Sequence, residues 1–442
     1  MPGDLLDLIA GERAGAISAS VEALVEADRV APGTALPPVR RLARHLGVSP
    51  TTVAAAYRDL QLRGLVTASG RRGTRIASRP PPLQRGQTPV PEGLRDLTTG
   101  NPDIDLLPDL SLALQSLQPR QRLYGEPAHN QTLRQLAAAD LAGEGVPPDS
   151  LLVVGGALDG IERALVARLR PGDRVAVEDP GYPVIHDLLL TLGLVPEPLP
   201  VDDRGYLPEA LEAALRGPLA AVIGTPRAQN PSGAALDEQR ARELRGLLDA
   251  RGDVLVIEDD HAGPVAGTPL ASLWSTARER WAFMRSVSKS LGPDLRLGVM
   301  AGDSQTISRV ENRQQLGAGW GSHLLQGLVV ALWTDVEVER LLQRAAEAYT
   351  ERRSALIHAL AEHGVAAHGR SGFNVWIPVP DEQAAVRRLL DAGWAVAPGE
   401  RFRHHSPPGI RVSVGSLLPA EAPRLARALA LSAERPARTR SA

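Results

Sequence analysis

Hydrophobic and polar positions divide the chain into three regimes. Residues 1–78 alternate helical patterning with short breaks. Apolar residues recur at helical spacing over 5–27, and Pro32-Gly33 mark a turn. Val39 to Leu46 predicts a short helix that Gly47 ends. Ser49 then offers an N-cap and Pro50 suits the first position of a second helix, running to about Arg63. Leu65-Val66-Thr67 and Thr74-Arg75-Ile76 predict a β-hairpin, with Arg71 and Arg72 at its tip. Helix, turn, capped helix and hairpin together make a winged helix-turn-helix. Residues 79–95, RPPPLQRGQTPVPEGLR, hold five prolines and predict an extended linker, semi-rigid at Pro80–Pro82. From Asp96 to the end, apolar strand-like runs alternate with amphipathic helical patterns. That implies βαβ units, an α/β fold and a mostly parallel central sheet.

Charge sharpens this division. Residues 1–28 carry one Arg against six acids, whereas residues 29–79 carry ten Arg against Asp59 alone. The whole chain has a formal charge of −2. A basic block ahead of a near-neutral body points to a double-stranded DNA module fused to something else. Within it, Ser49, Thr51 and Thr52 open the second helix, where a recognition helix meets base edges and phosphates. Arg40, Arg41, Arg44 and Arg58 would neutralise backbone phosphate, and Arg71 and Arg72 would reach a groove. Tyr57 is placed with this DNA-facing set. For any single arginine a solvated surface is as good an account as a contact. The full constellation favours DNA.

Composition adds one lead. The chain has no cysteine, which excludes disulfides and thiolate metal sites. It has a single lysine, Lys289, beside 48 arginines. A coding bias explains the ratio. It leaves Lys289 as chance or as a position that arginine cannot serve, because only lysine becomes a neutral amine nucleophile.

In open α/β sheets, ligands lie beyond the carboxyl ends of the strands. Predicted strands lead into Gly155-Gly156-Ala157, Glu178 to Tyr182, Thr225 to Pro231, Glu258 to His261 and Ser286 to Lys289. This set suits pyridoxal 5′-phosphate. Lys289 would form the Schiff base, and one of the paired aspartates, taken as Asp259, would meet the pyridinium nitrogen. Gly156 and Ala157 at a helix start, with Ser286, Ser288 and Arg296, would hold the phosphate. Tyr182 would stack on the ring and Asn230 would donate to the phenolate oxygen. Taken singly, each has a plainer account as a turn, a cap or a packing residue. Together, on five strand ends, they favour the cofactor.

Two resemblances follow. PGTALPPVRRLARHLGVSPTTVAAAYRDLQLRGLV with GRRGT resembles the GntR-type winged helix, departing from it at Pro38-Val39. YGEPAHNQTLRQLAA, VEDPGYP, TPRAQNPSG, VIEDDH, SVSKSLGPDLRLG and GIRVSVG resemble fold-type I aminotransferases over about 97–420. The fusion is similar to the MocR/GabR family of bacterial transcriptional regulators, and the wording of its motifs to the PtsJ-like subgroup linked to vitamin B6 salvage. The resemblance implies a fold-type I domain over 96–442, with a small C-terminal α+β subdomain at about 335–435. It implies that Tyr124 reaches the phosphate of the other subunit of a homodimer, and that Arg411 binds an effector carboxylate. His261 stands where the family usually has tyrosine on the phenolate, so its titration would make the cofactor pH-sensitive. His129 stands where YGxPxG has glycine.

The expected function is a pyridoxal phosphate-dependent transcription regulator that binds DNA as a homodimer. Its effector would be an amino compound or pyridoxal phosphate itself. The alternative is a working aminotransferase with an N-terminal regulatory module. No secretory signal and no run of roughly 18 apolar residues is present, so the expected location is cytoplasmic.

Overall fold

The computed structural model describes residues 5–27, 29–62, 65–68, 73–76 and 90–430. Arg71, Arg72 and the Pro80–Pro82 stretch lie outside the described residues.

The N-terminal module comprises α1 (Leu5–Leu8), α2 (Ala14–Glu26), α3 (Val39–Leu46), α4 (Pro50–Leu62), β1 (Val66–Ala68) and β2 (Thr74–Ile76). The helical spacing over 5–27 is thus split between two helices. The break falls at Gly11, whose φ is +136°. A Cβ there would lie 2.7 Å from the Ile17 nitrogen, so the chain turns at the residue that lacks one. Gly47 closes α3 in the left-handed region, with φ 70°. The Thr52 N–H donates to Ser49 Oγ at 3.1 Å, which caps α4 as its sequence predicts. Val66 pairs with Ile76 across the hairpin, and both are buried with Leu42, Val53, Ala56 and Leu60.

Tyr57 belongs to this core and not to a DNA-facing surface. The helical period turns it inward with Val53, Ala56 and Leu60. Its hydroxyl donates to the Pro37 carbonyl at 2.8 Å, and burial raises its pKa. Tyr57 therefore supports the helix-turn-helix from behind.

The large domain starts at β3 (Arg95–Leu97), followed by α5 (Leu110–Ser116) and α6 (Gln131–Gly143). Next come β4 (Leu151–Val154), α7 (Ala157–Arg168), β5 (Arg174–Asp179), α8 (Pro183–Thr191), β6 (Val195–Asp202) and β7 (Gly205–Tyr206). Then follow α9 (Pro208–Leu215), β8 (Leu219–Gly224), α10 (Glu238–Asp249), β9 (Leu255–Asp260), β10 (Trp281–Ser286) and β11 (Gly298–Gly302). The sheet order is β4-β11-β10-β9-β8-β5-β6-β7. Strands β8, β9 and β10 run parallel, and β11 is antiparallel to both of its neighbours. All six residues of β9 and of β10 are buried, as strands covered on both faces must be. Helix α7 packs across β4, β9, β10 and β11.

Beyond these lie α11 (Ser304–Leu316), α12 (His323–Trp333), α13 (Val336–Glu362), β12 (Asn374–Pro378), α14 (Glu382–Asp391), β13 (Trp394–Pro398), β14 (Gly409–Ser413) and α15 (Ala422–Ala430). They build a second sheet, ordered β12-β14-β13-β3. Strand β3 comes from the other end of the domain in sequence and runs parallel to β13. Its Leu97 is buried, and the Arg95 N–H donates to the Gly393 carbonyl at 3.0 Å. The last residue of the stretch read as a linker is therefore sheet. No helix among the described residues is long and apolar enough to cross a membrane.

Candidate functional site

Strand ends bring the candidate residues together. Lys289 lies three residues past β10 and is largely buried. Its Nζ donates to the Gly100 carbonyl at 2.6 Å and lies 5.8 Å from the centre of the Phe373 ring. Burial lowers its pKa to about 8; Arg411 lowers it further and Asp259 opposes the shift. About a tenth of such amines are neutral at pH 7, against fewer than one in about a thousand for an ordinary lysine.

Period-two alternation along β9 separates its three acids. Glu258 and Asp260 share one face. Glu258 accepts from Ser272 Oγ at 2.6 Å and from the Leu273 N–H at 2.8 Å. Asp260 is fully buried, bound in a fork by Arg227 at 2.9 Å for each oxygen and by Arg285 Nε at 2.8 Å. Both arginines continue to Glu144, just past the end of α6, and Arg285 also meets Asp140 on that helix. Asp259 points the other way. It is buried, and its Oδ1 has no hydrogen-bond partner. Burial, with Asp260 and Glu178 nearby, raises its pKa to about 7, while Lys289 pulls it down.

Arg411 projects from β14 and is 5% exposed. Its Nη1 donates to Asn230 Oδ1 at 3.0 Å, its Nη2 to the Thr98 carbonyl, and its guanidinium lies 4.8 Å from the Phe402 ring centre. Its Nε is buried without a partner. Burial and the nearby Arg401 lower its pKa to about 10. Tyr182 follows β5 and is 37% exposed. Before it, Asp179 accepts from the backbone of His404, His405 and Ser406 at 2.7–3.0 Å, tying that loop to β5.

Gly156 has φ +106°, and Arg296 Nη2 donates to the Gly155 carbonyl at 3.1 Å. Arg296 thus flanks the turn where Ala157 starts α7. Ser286 Oγ and Ser288 Oγ lie 3.0 Å apart. Asp159 is an unexpected member of this turn. It accepts from the Gly155 N–H and from Arg163 Nε, each at 2.8 Å.

His261 differs from its expected behaviour. Burial, aided by Lys289, lowers its pKa to about 4. It is neutral near pH 7, whereas burial brings Lys289 to about 8 and Asp259 and Glu178 to about 7. Tyr124 stands apart: it is 94% exposed, and its ring packs edge-on against Trp320 at 5.5 Å.

In the N-terminal module, Arg40, Arg41, Arg44, Ser49, Thr51 and Arg58 are exposed and Thr52 is half-buried. Ser49 Oγ lies 2.7 Å from Thr51 Oγ1 and 2.8 Å from Thr52 Oγ1, which groups three hydroxyls at the start of α4.

Comparison with known proteins bears on this arrangement. Residues 93–429 match the family "Aminotransferase class I and II", and residues 13–76 match "Bacterial regulatory proteins, gntR family". The chain is 39% identical over 423 residues to the vitamin B6 salvage pathway transcriptional repressor PtsJ of Salmonella typhimurium, covering 95% of this chain and 98% of that one. It is 29% identical to the HTH-type transcriptional regulator TauR of Rhodobacter capsulatus, covering 91% and 93%. In fold it is similar to Pyrococcus horikoshii kynurenine aminotransferase, with TM-score 0.69 and 24% identity over 78% of this chain and 92% of that one.

Proposed function

The chain belongs to the aminotransferase class I and II family, in a form that carries a gntR-type regulatory module, and on that premise we propose how this transcriptional regulator senses its ligand. It binds pyridoxal 5′-phosphate at Lys289, and the state of that site sets its affinity for DNA. The observation that carries this is the pair formed by a partly neutral buried amine and a buried carboxyl with an idle oxygen. Buried polar atoms find partners, and a pyridine N–H is the donor Asp259 Oδ1 lacks. Bound there, pyridoxal phosphate supplies an aldehyde carbon and an electron-withdrawing ring.

The chain's own residues supply the rest. Lys289 provides the amine. Asn230 and the neutral His261 donate to the phenolate oxygen, and Tyr182 covers the ring. Gly156, Ala157, Ser286, Ser288 and Arg296 hold the phosphate. Arg411 offers its idle Nε to the carboxylate of an amino compound. Tyr124 completes the phosphate site of a second subunit in a homodimer. Exposed Ile104, Leu112, Leu123, Leu316 and Leu324 support such an interface. The protein acts in the cytoplasm, where Arg40, Arg41, Arg44, Ser49, Thr51, Thr52 and Arg58 meet the operator. PtsJ is named for vitamin B6 salvage, so the proposed target genes serve vitamin B6 or amino-compound metabolism.

Two outcomes follow. Cofactor capture by the cofactor-free protein, read from visible absorbance, will rise with pH along one ionisation near 8. A midpoint above 10 would leave Lys289 an ordinary lysine. Replacing Arg40, Arg44 and Arg58 together by alanine, three contacts in each of two subunits, will lower the log–log salt slope of DNA binding by about 5. An unchanged slope would remove these residues from the interface.

The proposal itself is tested by fluorescence anisotropy on DNA upstream of its own gene, with and without pyridoxal phosphate. At least about a fivefold change in affinity is expected. Equal affinity in both states sinks the sensing role. The second reading, a working aminotransferase, draws on the same buried Arg411. Turnover of amino donor and keto acid at about 1 per second or faster would establish it.

A further inference from the structure

Gln229 precedes Asn230 and is fully buried. Its side-chain amide uses its whole hydrogen-bonding capacity, two donors and two acceptor sites. Nε2 donates to Glu178 Oε2 at 3.0 Å and to the Pro180 carbonyl at 2.9 Å. Oε1 accepts from the Ser232 N–H at 2.8 Å and from Ser232 Oγ. One side chain thus joins the loop after β5, which carries Tyr182, to the loop after β8, which carries Asn230. Glu178, also buried, strengthens the joint. It accepts from the Thr225 N–H at 2.8 Å and from Thr225 Oγ1 at 3.0 Å.

Both loops have backbone that such a joint must hold. Ala228, immediately before Gln229, lies in the left-handed region with φ 56°. A residue with a Cβ keeps that conformation only where its surroundings impose it. Its N–H donates to Ser371 Oγ. On the other loop, a Cβ at Gly181 would collide with the Glu178 carbonyl, so the turn into Tyr182 is tight. The Gly181 N–H donates to the Phe402 carbonyl at 2.7 Å. At Asn230, Oδ1 accepts from Arg411 Nη1 at 3.0 Å, so the amide NH2 is what remains to donate. The direction of that NH2 is set by the Arg411 contact and by the backbone that Gln229 holds.

We infer that Gln229, braced by Glu178, is a positioning residue for the cofactor: it sets Asn230 against the phenolate oxygen and Tyr182 over the ring as one unit. The inference rests on the cofactor reading of Lys289 and adds to it the residue that makes two separate loops act together.

The test uses the full-length protein and Gln229→Ala, with two readouts. The first is amide hydrogen exchange of the cofactor-free protein, followed by mass spectrometry. Exchange should rise over both 178–182 and 225–234. A rise confined to 225–234 overturns the joint. The second is pyridoxal phosphate affinity, read from visible absorbance. Gln229→Ala should weaken it at least about tenfold in the parent, but less than about twofold where Asn230 and Tyr182 are already alanine, because residues that act through one another do not add. An equal loss in both backgrounds, or no loss in the parent, overturns the positioning role alone. If Gln229→Ala does not fold, Ser232→Ala takes its place in both readouts. It removes one donor to Gln229 Oε1 and should weaken binding at least about threefold. A parent protein that gains no visible absorbance refutes the cofactor reading and the positioning role with it, while hydrogen exchange separately decides the joint.

Discussion

Lys289→Arg is expected to abolish the visible absorbance and the borohydride labelling that pyridoxal phosphate confers on the parent protein. The change should be complete, because no part of it is an affinity effect. The buried site lowers the Lys289 amine to about 8, which makes a usable fraction nucleophilic. A guanidinium begins several pH units higher and stays protonated in the same surroundings. Arginine is otherwise a modest change. It keeps the positive charge near Asp259 and can donate to the Gly100 carbonyl, the hydrogen bond Lys289 makes. Circular dichroism and the thermal midpoint should therefore stay close to those of the parent. An unchanged absorption spectrum in the variant would overturn the cofactor assignment. A variant that fails to fold is controlled by Lys289→Met, which removes the amine without adding bulk or charge.

Asp260→Ala is expected to cost about 3–5 kcal/mol, more than any other single change to an acid of the large domain. Asp260 is fully buried, and Arg227 and Arg285, each 3% exposed, converge on it. Removing the carboxylate leaves two buried guanidiniums sharing Glu144 and Asp140. Burial alone would raise the Asp260 pKa, but Arg285 and Arg227 outweigh it and hold it at about 2. Its folded value thus lies below its unfolded value. Its contribution is present above about pH 4 and is lost as pH falls toward 2. Urea unfolding at pH 7 measures the cost. A loss below about 1 kcal/mol would mean that water or relaxation satisfies the arginines.

The parts legible in the sequence were those with short-range signals. Gly47, Ser49 and Pro50 fix the ends of α3 and α4 by local backbone chemistry. The five predicted strand ends lie where β4, β5, β8, β9 and β10 finish. Lys289 and Asn230 are visible because each sits in a motif past such an end, Asp259 because its motif closes β9, and Arg411, in the middle of β14, only through the family resemblance. Contacts made across the fold were not legible. Arg227 and Asp260 are 33 residues apart, and Arg285 and Asp140 are 145 apart; no local pattern links them. Tyr57 was misplaced because an aromatic on a recognition helix has two accounts, and only packing against Pro37 decides between them. For His261 the residue type suggests titration near neutrality, whereas burial, which no local pattern shows, lowers its pKa to about 4.

Strand β3 links these themes through chain mechanics. It is the first sheet residue run after the proline-rich stretch. The backbone just beyond it accepts hydrogen bonds from both ends of the candidate site. The Thr98 carbonyl takes one from Arg411 and the Gly100 carbonyl takes one from Lys289. Any ligand that engages that guanidinium or that amine competes with those two carbonyls for their donors. Binding at either donor therefore carries the cost of releasing a hydrogen bond already made inside the protein, which a ligand must offset before it gains affinity.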